Sequence, residues 1–392
     1  MLRASRRVVV LGATGSIGVQ TLDVIERLNA AGRSFSIIGL SAGHNIDRLC
    51  AQIDRFAPSA VCVADPADAV ALRRRFPDLD ISSAGEGLET LARLGNADVV
   101  VNALVGAAGL APSLAALSSG KTLALANKES LVVGGELVAA LLAEGRGPLV
   151  PIDSEHSALF QCLRAGTASE VRRLLITASG GPFLRHPLER LSEVGPEEAL
   201  DHPNWAMGRR ITIDSATMVN KAFEVIEAHY LFGMPYVRIE AVIHPGSVIH
   251  SLVEYRDGSI LAQLAAPDMR LAIQYALTHP DRIDTALPRL DLETQGALRF
   301  EPLDPDRYPA FATVLAAARS GGTAPAAVNA ADEVLVARFL EDDIPFTGIA
   351  AGLEAILTRW TEVYGADEGA IALEKLLAVD RWARAQTATL SL

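Results

Sequence analysis

From residue 1 to about 150, short apolar runs alternate with segments whose apolar residues recur at helical spacing. The runs are RRVVVLG, FSIIGL, AVCVA, ADVVVNAL, KTLALA and PLVPI; the segments between them include VQTLDVIERLNAAG and NIDRLCAQIDRF. Short apolar runs between helical patterns predict buried strands, and this βαβ rhythm predicts an open parallel sheet wrapped by helices. Such sheets bind ligands beyond the carboxyl ends of their strands. Polar groups cluster at those ends: Thr14 and Ser16, Ser41 to Asn45, Asn102, Asn127-Lys128-Glu129, and Asp153-Ser154-Glu155. One crevice therefore collects most of the candidate chemistry.

The pattern changes after residue 150. LITASGG predicts a strand running into a glycine turn, and YVRIEAVIH alternates. VIHSLVEYRDGSILAQLA predicts a hairpin around Asp257-Gly258, which makes this region α+β with a mixed or antiparallel sheet. A stretch holding Pro280, Pro288, Pro302, Pro305 and Pro309 predicts a long surface linker. From about 310 the chain is rich in Ala and Leu at helical spacing, which predicts a small helical bundle. The expected division is 1–150, 151–280, a linker over 281–309, and 310–392. No internal repeat or low-complexity tract interrupts it.

Composition narrows the function. A chain of 392 residues exceeds one ordinary core, in keeping with several domains. Lys+Arg 35 against Asp+Glu 47 gives a net charge of −12, which disfavours nucleic acid as a partner. Cys50, Cys62 and Cys162 are far apart and form no CxxC pair, as in a reduced, cytoplasmic protein. The opening MLRASRRVVVLGATGSIG superficially resembles a signal peptide, but its apolar run is short and enters a glycine turn, so it reads as a first strand. No apolar stretch approaches membrane-span length.

Gly12-Ala13-Thr14-Gly15-Ser16-Ile17-Gly18 follows an apolar strand and precedes a helix. Glycines there allow a tight turn and close approach to a pyrophosphate at a helix N-terminus; the alternative is a plain βα turn. The second strand ends Leu40-Ser41-Ala42-Gly43-His44-Asn45, with Arg48 following. Without a carboxylate to repel a ribose phosphate, NADP is favoured over NAD, provided the strand boundary is correctly placed. Asp153 and Glu155, with Glu224 from a later helix, are hard oxygen donors suited to a divalent cation, although acidic residues also cap helices. Asn220, Lys221 and Glu224 share one helix face at i, i+3 and i, i+4 spacing. The run from Asp201 to Arg210 mixes His202, Trp205, Met207 and Gly208 and suits a mobile lid, or else a surface loop with Trp205 tucked into the core. Ser179 and Ser215 suit phosphate contacts or turn and helix starts, and His250 suits a buried core position.

In one order, GATGSIGVQTLDVI, ALANKESLV, PIDSEHSALFQCL, TASGGPF, HPNWAMGRRITIDSATMVNK and HPGSVIHSLVEYRDGS resemble the 1-deoxy-D-xylulose 5-phosphate reductoisomerase family over essentially the whole chain. The resemblance implies an α/β fold: an N-terminal Rossmann-like parallel sheet that binds NADPH, a central α+β catalytic domain and a C-terminal helical bundle. It implies a homodimer acting on a sugar phosphate of the non-mevalonate isoprenoid pathway, with hydride from NADPH and Mg²⁺, Mn²⁺ or Co²⁺ as Lewis acid. Asp153, Glu155 and Glu224 would ligate the metal. Lys128, Ser154 and Glu155 would contact substrate oxygens, and Ser179, Ser215, Asn220 and Lys221 its phosphate. His202 would touch substrate from the lid, under Trp205 and Met207. Thr14, Gly15, Ser16, Ile17, Gly43, His44, Asn45, Asn127, Glu129 and Gly208 would bind NADPH.

Some positions depart from the common family pattern. Ala206 stands where Ser is common, Arg210 where Lys is, and His44 where Lys or Arg is; Ala222 replaces a usual Gly and Gly246 a usual Gln. Two other classes stay open. A semialdehyde dehydrogenase would need a nucleophilic cysteine, and Cys162 reads as a buried helix residue. A nucleotide-sensing binding protein would need no metal cluster.

Overall fold

The computed structural model describes residues 5–205, 207–284, 286–365 and 369–392. The chain divides into two compact units. One comprises Met1–Ser130, Leu137–Ser157 and Asp268–Pro288; the other comprises Leu131–Glu136, Ala158–Pro267 and Arg289–Leu392.

The first unit is built on a seven-stranded parallel sheet. Its strands are β1 (Arg6–Leu11), β2 (Phe35–Ala42), β3 (Ala60–Val63), β4 (Asp80–Ser83), β5 (Val99–Asn102), β6 (Thr122–Leu125) and β7 (Leu149–Pro151). Their order is β4-β3-β2-β1-β5-β6-β7, so the winding reverses between β1 and β5. That reversal opens a crevice at the carboxyl ends. Val8, Val9 and Val10 and the facing Val99, Val100 and Val101 are all buried, which explains unbroken apolar runs rather than alternation. Burying each such side chain contributes about 1.5–3 kcal/mol. Helix Ser16–Ala30 turns Leu22, Val24, Ile25 and Leu28 to the interior, the spacing that marks an amphipathic helix. Helix Met269–Thr278 returns to this unit, capped by Asp268, and packs on Ser16–Ala30 with Arg270 reaching Asp23 at 3.4 Å.

The run DISS, absent from the six apolar runs of the sequence, forms β4 at one sheet edge. Only Ile81 of that strand is buried, and Asp80 faces solvent. One buried side chain leaves no hydropathy pattern to read.

The second unit has a mixed five-stranded sheet of β8 (Val171–Ala178), β9 (Ile239–Ile243), β10 (Ile249–Tyr255), β11 (Ile260–Leu264) and β12 (Glu301–Pro302), in the order β11-β10-β8-β9-β12. β8 and β9 run parallel and the other pairs antiparallel. The β10–β11 hairpin turns at Asp257-Gly258: Gly258 has φ +90° and the Ser259 N–H donates to Asp257 Oδ1 at 2.9 Å. Within the proline-rich stretch lie helix Leu292–Gln295 and β12. Helices Pro309–Ser320, Ala324–Leu340, Phe346–Tyr364 and Leu373–Ala388 follow. Val328, Phe339, Leu353 and Trp360 of this bundle share one core with Val219, Phe223 and Ile226 of helix Val219–Phe232.

Candidate active site

In the first unit, the glycine turn after β1 is held from within. The Gly12 N–H donates to Ser41 Oγ at 2.9 Å, and Gln52 Nε2 donates to Ala13 O at 2.8 Å. Gly12 has φ +80°, and a Cβ there would sit 2.5 Å from Ala103 O. A Cβ on Gly18 would sit 2.2 Å from Gly12 O. Both glycines are therefore required by close backbone approach. Gly15 precedes helix Ser16–Ala30 in extended conformation with no side-chain cap, which leaves helix-start N–H groups to an anion. Thr14, Ser16, Gly43, His44 and Asn45 line the carboxyl edge, and all but Thr14 are exposed. β2 ends at Ala42 with no carboxylate through Asn45. Arg48 Nη1 donates to Thr14 O at 3.1 Å, which brings a guanidinium to the turn. These features fit a phosphorylated dinucleotide.

Asn127 and Glu129 are buried and hydrogen-bonded to the loop after β5. Asn127 Nδ2 donates to Leu104 O at 3.1 Å, to Gly106 O at 3.0 Å and to Glu129 Oε2 at 2.6 Å. Glu129 Oε1 accepts the Gly106 N–H at 3.0 Å. Their side chains clamp the loop after β5, whose Ala103 carbonyl lies against Gly12. The contacts to Leu104 and Gly106 join residues more than twenty positions apart, so no local pattern revealed them.

Past β7, the sequence IDSE enters helix Ser154–Cys162. Asp153 accepts the Glu155 N–H at 3.1 Å, so the capping role weighed for it is real. Lys128 Nζ also donates to Asp153, and Ser154 Oγ donates to Glu155. His156, not singled out from the sequence, is fully buried with Nδ1 3.0 Å from Asp153 Oδ1. Its i, i+3 spacing from Asp153 was the available signal. Burial alone would raise the Asp153 carboxyl, but Lys128 and His156 outweigh it and hold the group well below the usual carboxylate range. Asp153 is thus ionised at neutral pH, as a metal ligand must be.

In the second unit, helix Val219–Phe232 starts after Met218, whose φ is +63°. Asn220 Nδ2 donates to Glu224 Oε1 at 2.6 Å and Lys221 donates to Glu224 Oε2. The amide, ammonium and carboxylate share one face, as their spacing predicts. Lys221 and Glu224 are 4% and 1% exposed, so this is a buried ion pair and not a solvated helix charge. Asn220 Oδ1 is buried and has no hydrogen-bond partner among the described residues, an acceptor suited to a ligand hydroxyl.

Ser179, His202 and Ser215 also come together. His202 Nε2 lies 3.1 Å from Ser179 Oγ and 3.1 Å from Ser215 Oγ. Its Nδ1 accepts N–H groups of Asn204 at 3.2 Å and Trp205 at 3.0 Å. With Nδ1 an acceptor, the ring proton sits on Nε2 between the hydroxyls. Burial lowers the His202 pKa, which favours this neutral ring. Ser179 Oγ accepts the Gly181 N–H at 3.1 Å, a turn contact. Ser215 lies in the last turn of helix Arg209–Thr217, not at a helix start. The 201–208 run is irregular, and Ala206 lies outside the described residues. Trp205 is half-buried, its ring 6.2 Å from that of buried His250. Asn204 Nδ2 ties the run to Pro245 O at 2.7 Å and Ser247 Oγ at 2.9 Å. Cys162 is 8% exposed at a helix end, an unsuitable place for a dehydrogenase nucleophile.

Comparison with known proteins gives one consistent result. The family model described as 1-deoxy-D-xylulose 5-phosphate reductoisomerase matches residues 8–135, and two models of its C-terminal domains match 149–232 and 264–386. The 1-deoxy-D-xylulose 5-phosphate reductoisomerase of Chlorobium chlorochromatii is 49% identical over 381 residues, covering 97% of this chain and 98% of that protein. A crystal structure of DOX-P reductoisomerase with NADPH, fosmidomycin and magnesium superposes with TM-score 0.91 at 39% identity, covering 97% of each chain. The Zymomonas mobilis enzyme in complex with NADPH superposes with TM-score 0.90 at 42% identity, covering 98% of each.

Proposed function

This chain belongs to the 1-deoxy-D-xylulose 5-phosphate reductoisomerase family, and from that membership we infer its reaction. It is an NADPH- and divalent-metal-dependent enzyme that rearranges and reduces 1-deoxy-D-xylulose 5-phosphate to 2-C-methyl-D-erythritol 4-phosphate, a step of the non-mevalonate route to isoprenoid precursors. Full-length identity of 49% to a named relative carries this conclusion. NADPH supplies the reducing equivalents, and Mg²⁺, Mn²⁺ or Co²⁺ supplies Lewis acidity.

The residue roles are our proposal. Asp153, Glu155 and Glu224 hold the cation, a reading supported by their hard oxygen donors and by the ionised state of Asp153. Lys128, just before helix Glu129–Ala143, and Ser154, at the start of helix Ser154–Cys162, orient the substrate oxygens. Ser179, Ser215, Asn220 and Lys221 hold the phosphate, with His202 donating from Nε2. Trp205 and Met207 exclude water above it. Binding energy from the remote phosphate then serves orientation and lid closure. Thr14, Gly15, Ser16, Ile17, Gly43, His44, Asn45, Asn127, Glu129 and Gly208 receive NADPH, Asn127 and Glu129 also clamping the loop after β5. Residues 1–150 bind cofactor, 151–280 carry the catalysis and 310–392 form a supporting helical domain beyond the 281–309 linker. No helix among the described residues is long and apolar enough to cross a membrane. We propose a cytoplasmic homodimer. The test is NADPH oxidation with 1-deoxy-D-xylulose 5-phosphate, with and without EDTA. Oxidation should need both the sugar phosphate and the metal; turnover that persists in EDTA would overturn the metal assignment.

A further inference from the structure

Arg210 stands in the first turn of helix Arg209–Thr217, a turn that holds no acidic residue. A cation there opposes the helix dipole, so local helix stability does not explain it. Its contacts lie elsewhere. Nη1 donates to Glu333 Oε1 at 3.1 Å, and Nη2 to Asp332 Oδ2 at 3.2 Å and Asn329 Oδ1 at 3.3 Å. Nε lies 3.7 Å from Asp214 Oδ2. All three distant partners sit on helix Ala324–Leu340, where Asp332 and Asn329 are fully buried. Arg384 of helix Leu373–Ala388 closes the cluster, donating to Glu333 Oε2 at 2.7 Å and to Asp380 Oδ2 at 2.7 Å.

The other end of helix Arg209–Thr217 is held by shape. A Cβ on Gly181 would sit 2.9 Å from Ser215 O, so the glycine turn after β8 lies against the helix. Ser215 projects from this end to His202. The helix is thus a short rod, bolted at its start by Arg210 and seated at its end on Gly181, with Ser179, His202 and Ser215 gathered at that seat. A planar guanidinium engaged by several oxygens fixes both position and rotation of the turn that bears it.

We propose that Arg210 is a positioning residue for substrate phosphate, acting by anchoring helix Arg209–Thr217 to Asp332 and Glu333 so that Ser215 meets His202 in register. This rests on the reading of Ser215 and His202 as substrate contacts. On this proposal Arg210 acts through the helix and not by contact with substrate or cofactor.

The experiment measures kcat, KM for 1-deoxy-D-xylulose 5-phosphate, Kd for NADPH and the competitive inhibition constant of inorganic phosphate. It compares wild type with Arg210→Ala, Arg210→Lys, Asp332→Asn and Ser215→Ala, each checked for folding by circular dichroism. Arg210→Ala should raise KM and the phosphate inhibition constant about tenfold. It should change kcat and the NADPH Kd by no more than about twofold. Arg210→Lys keeps the charge but loses the fork, and should recover part of the loss. Asp332→Asn should shift KM in the same direction by less. An unchanged KM in folded Arg210→Ala overturns the proposal, as does an equal loss of NADPH affinity. If Arg210→Ala does not fold, Arg210→Lys and Asp332→Asn decide: unchanged phosphate inhibition in both overturns it. Ser215→Ala separates the two layers. If it leaves KM unchanged, the phosphate-site reading fails; if it raises KM while the Arg210 variants do not, the anchoring proposal alone fails.

Discussion

At the scale of single residues, the buried pair of Lys221 and Glu224 makes the sharpest claims. Glu224→Gln removes a full negative charge from the donor set proposed for the metal while keeping side-chain size. We expect turnover to fall at least about a hundredfold with the fold retained. Near-normal activity with Mg²⁺ in a folded variant would remove Glu224 from the site. Lys221→Ala should raise KM for the sugar phosphate about tenfold to 150-fold, from the loss of a charge-assisted hydrogen bond of about 1.5–3 kcal/mol. The NADPH Kd should hardly move, and an equal fall in NADPH affinity would place Lys221 in the cofactor site instead. Because both groups are buried, removing either leaves a charge uncompensated, so thermal melts must accompany the kinetics. The spacing of Asn220, Lys221 and Glu224 was legible because a helix face is local. The Asn127 clamp on Leu104 and Gly106 was not, since those partners arrive only when β5 and β6 pair. The i, i+3 spacing of His156 from Asp153 is a weak signal by itself, and it is burial that sets His156 apart from a surface histidine.

At the scale of elements, hydropathy revealed strands where both faces are buried, as in β1, and where a turn is chemically marked, as at Asp257-Gly258. It failed at β4, which buries a single side chain. The irregular 201–208 run was legible as a lid candidate from composition, and its mobility is testable. Hydrogen exchange at Trp205, Met207 and Gly208 should slow when NADPH, metal and a phosphonate analogue are added; unchanged exchange would favour a plain surface loop. The C-terminal helices carry a second test. Burial raises the Asp332 carboxyl to about 6, against the opposing pull of Arg210. Asp214, Glu333, Arg384 and Asp380 complete the charges of that cluster. A carboxyl raised from an unfolded value near 4 contributes stability that is complete below about pH 4 and lost as pH rises through about 6. A shift of that order corresponds to ~3 kcal/mol at most. Asparagine cannot titrate. The Tm of wild type minus that of Asp332→Asn should therefore grow as pH falls from about 7 to about 5. A difference that stays constant with pH would show that Asp332 does not titrate there.

At the scale of the whole molecule, the family and the fold class were legible from motif order, while the assembly must be argued from surface. Open sheet edges invite pairing unless they are short, charged or interrupted by proline. Here β12 has two residues and contains Pro302, β7 has three and contains Pro151, and β4 has four and begins with Asp80. β11 is the unprotected edge: five residues, with Ile260 and Leu261 50% and 39% exposed. On a chain of net charge −12, general repulsion disfavours self-association, so a dimer needs a specific apolar seam. For the proposed homodimer, we propose that seam at β11, where a second copy can extend the sheet and cover both side chains. Ile260→Lys with Leu261→Lys should shift the sedimentation mass from dimer to monomer while leaving the circular dichroism of the chain unchanged. Lysine at an edge is the charge that natural sheets use to block pairing, and the exposed positions accept it without core strain. A double variant that still sediments as a dimer would move the interface away from β11, and a wild-type chain that sediments as a monomer would remove the dimer altogether.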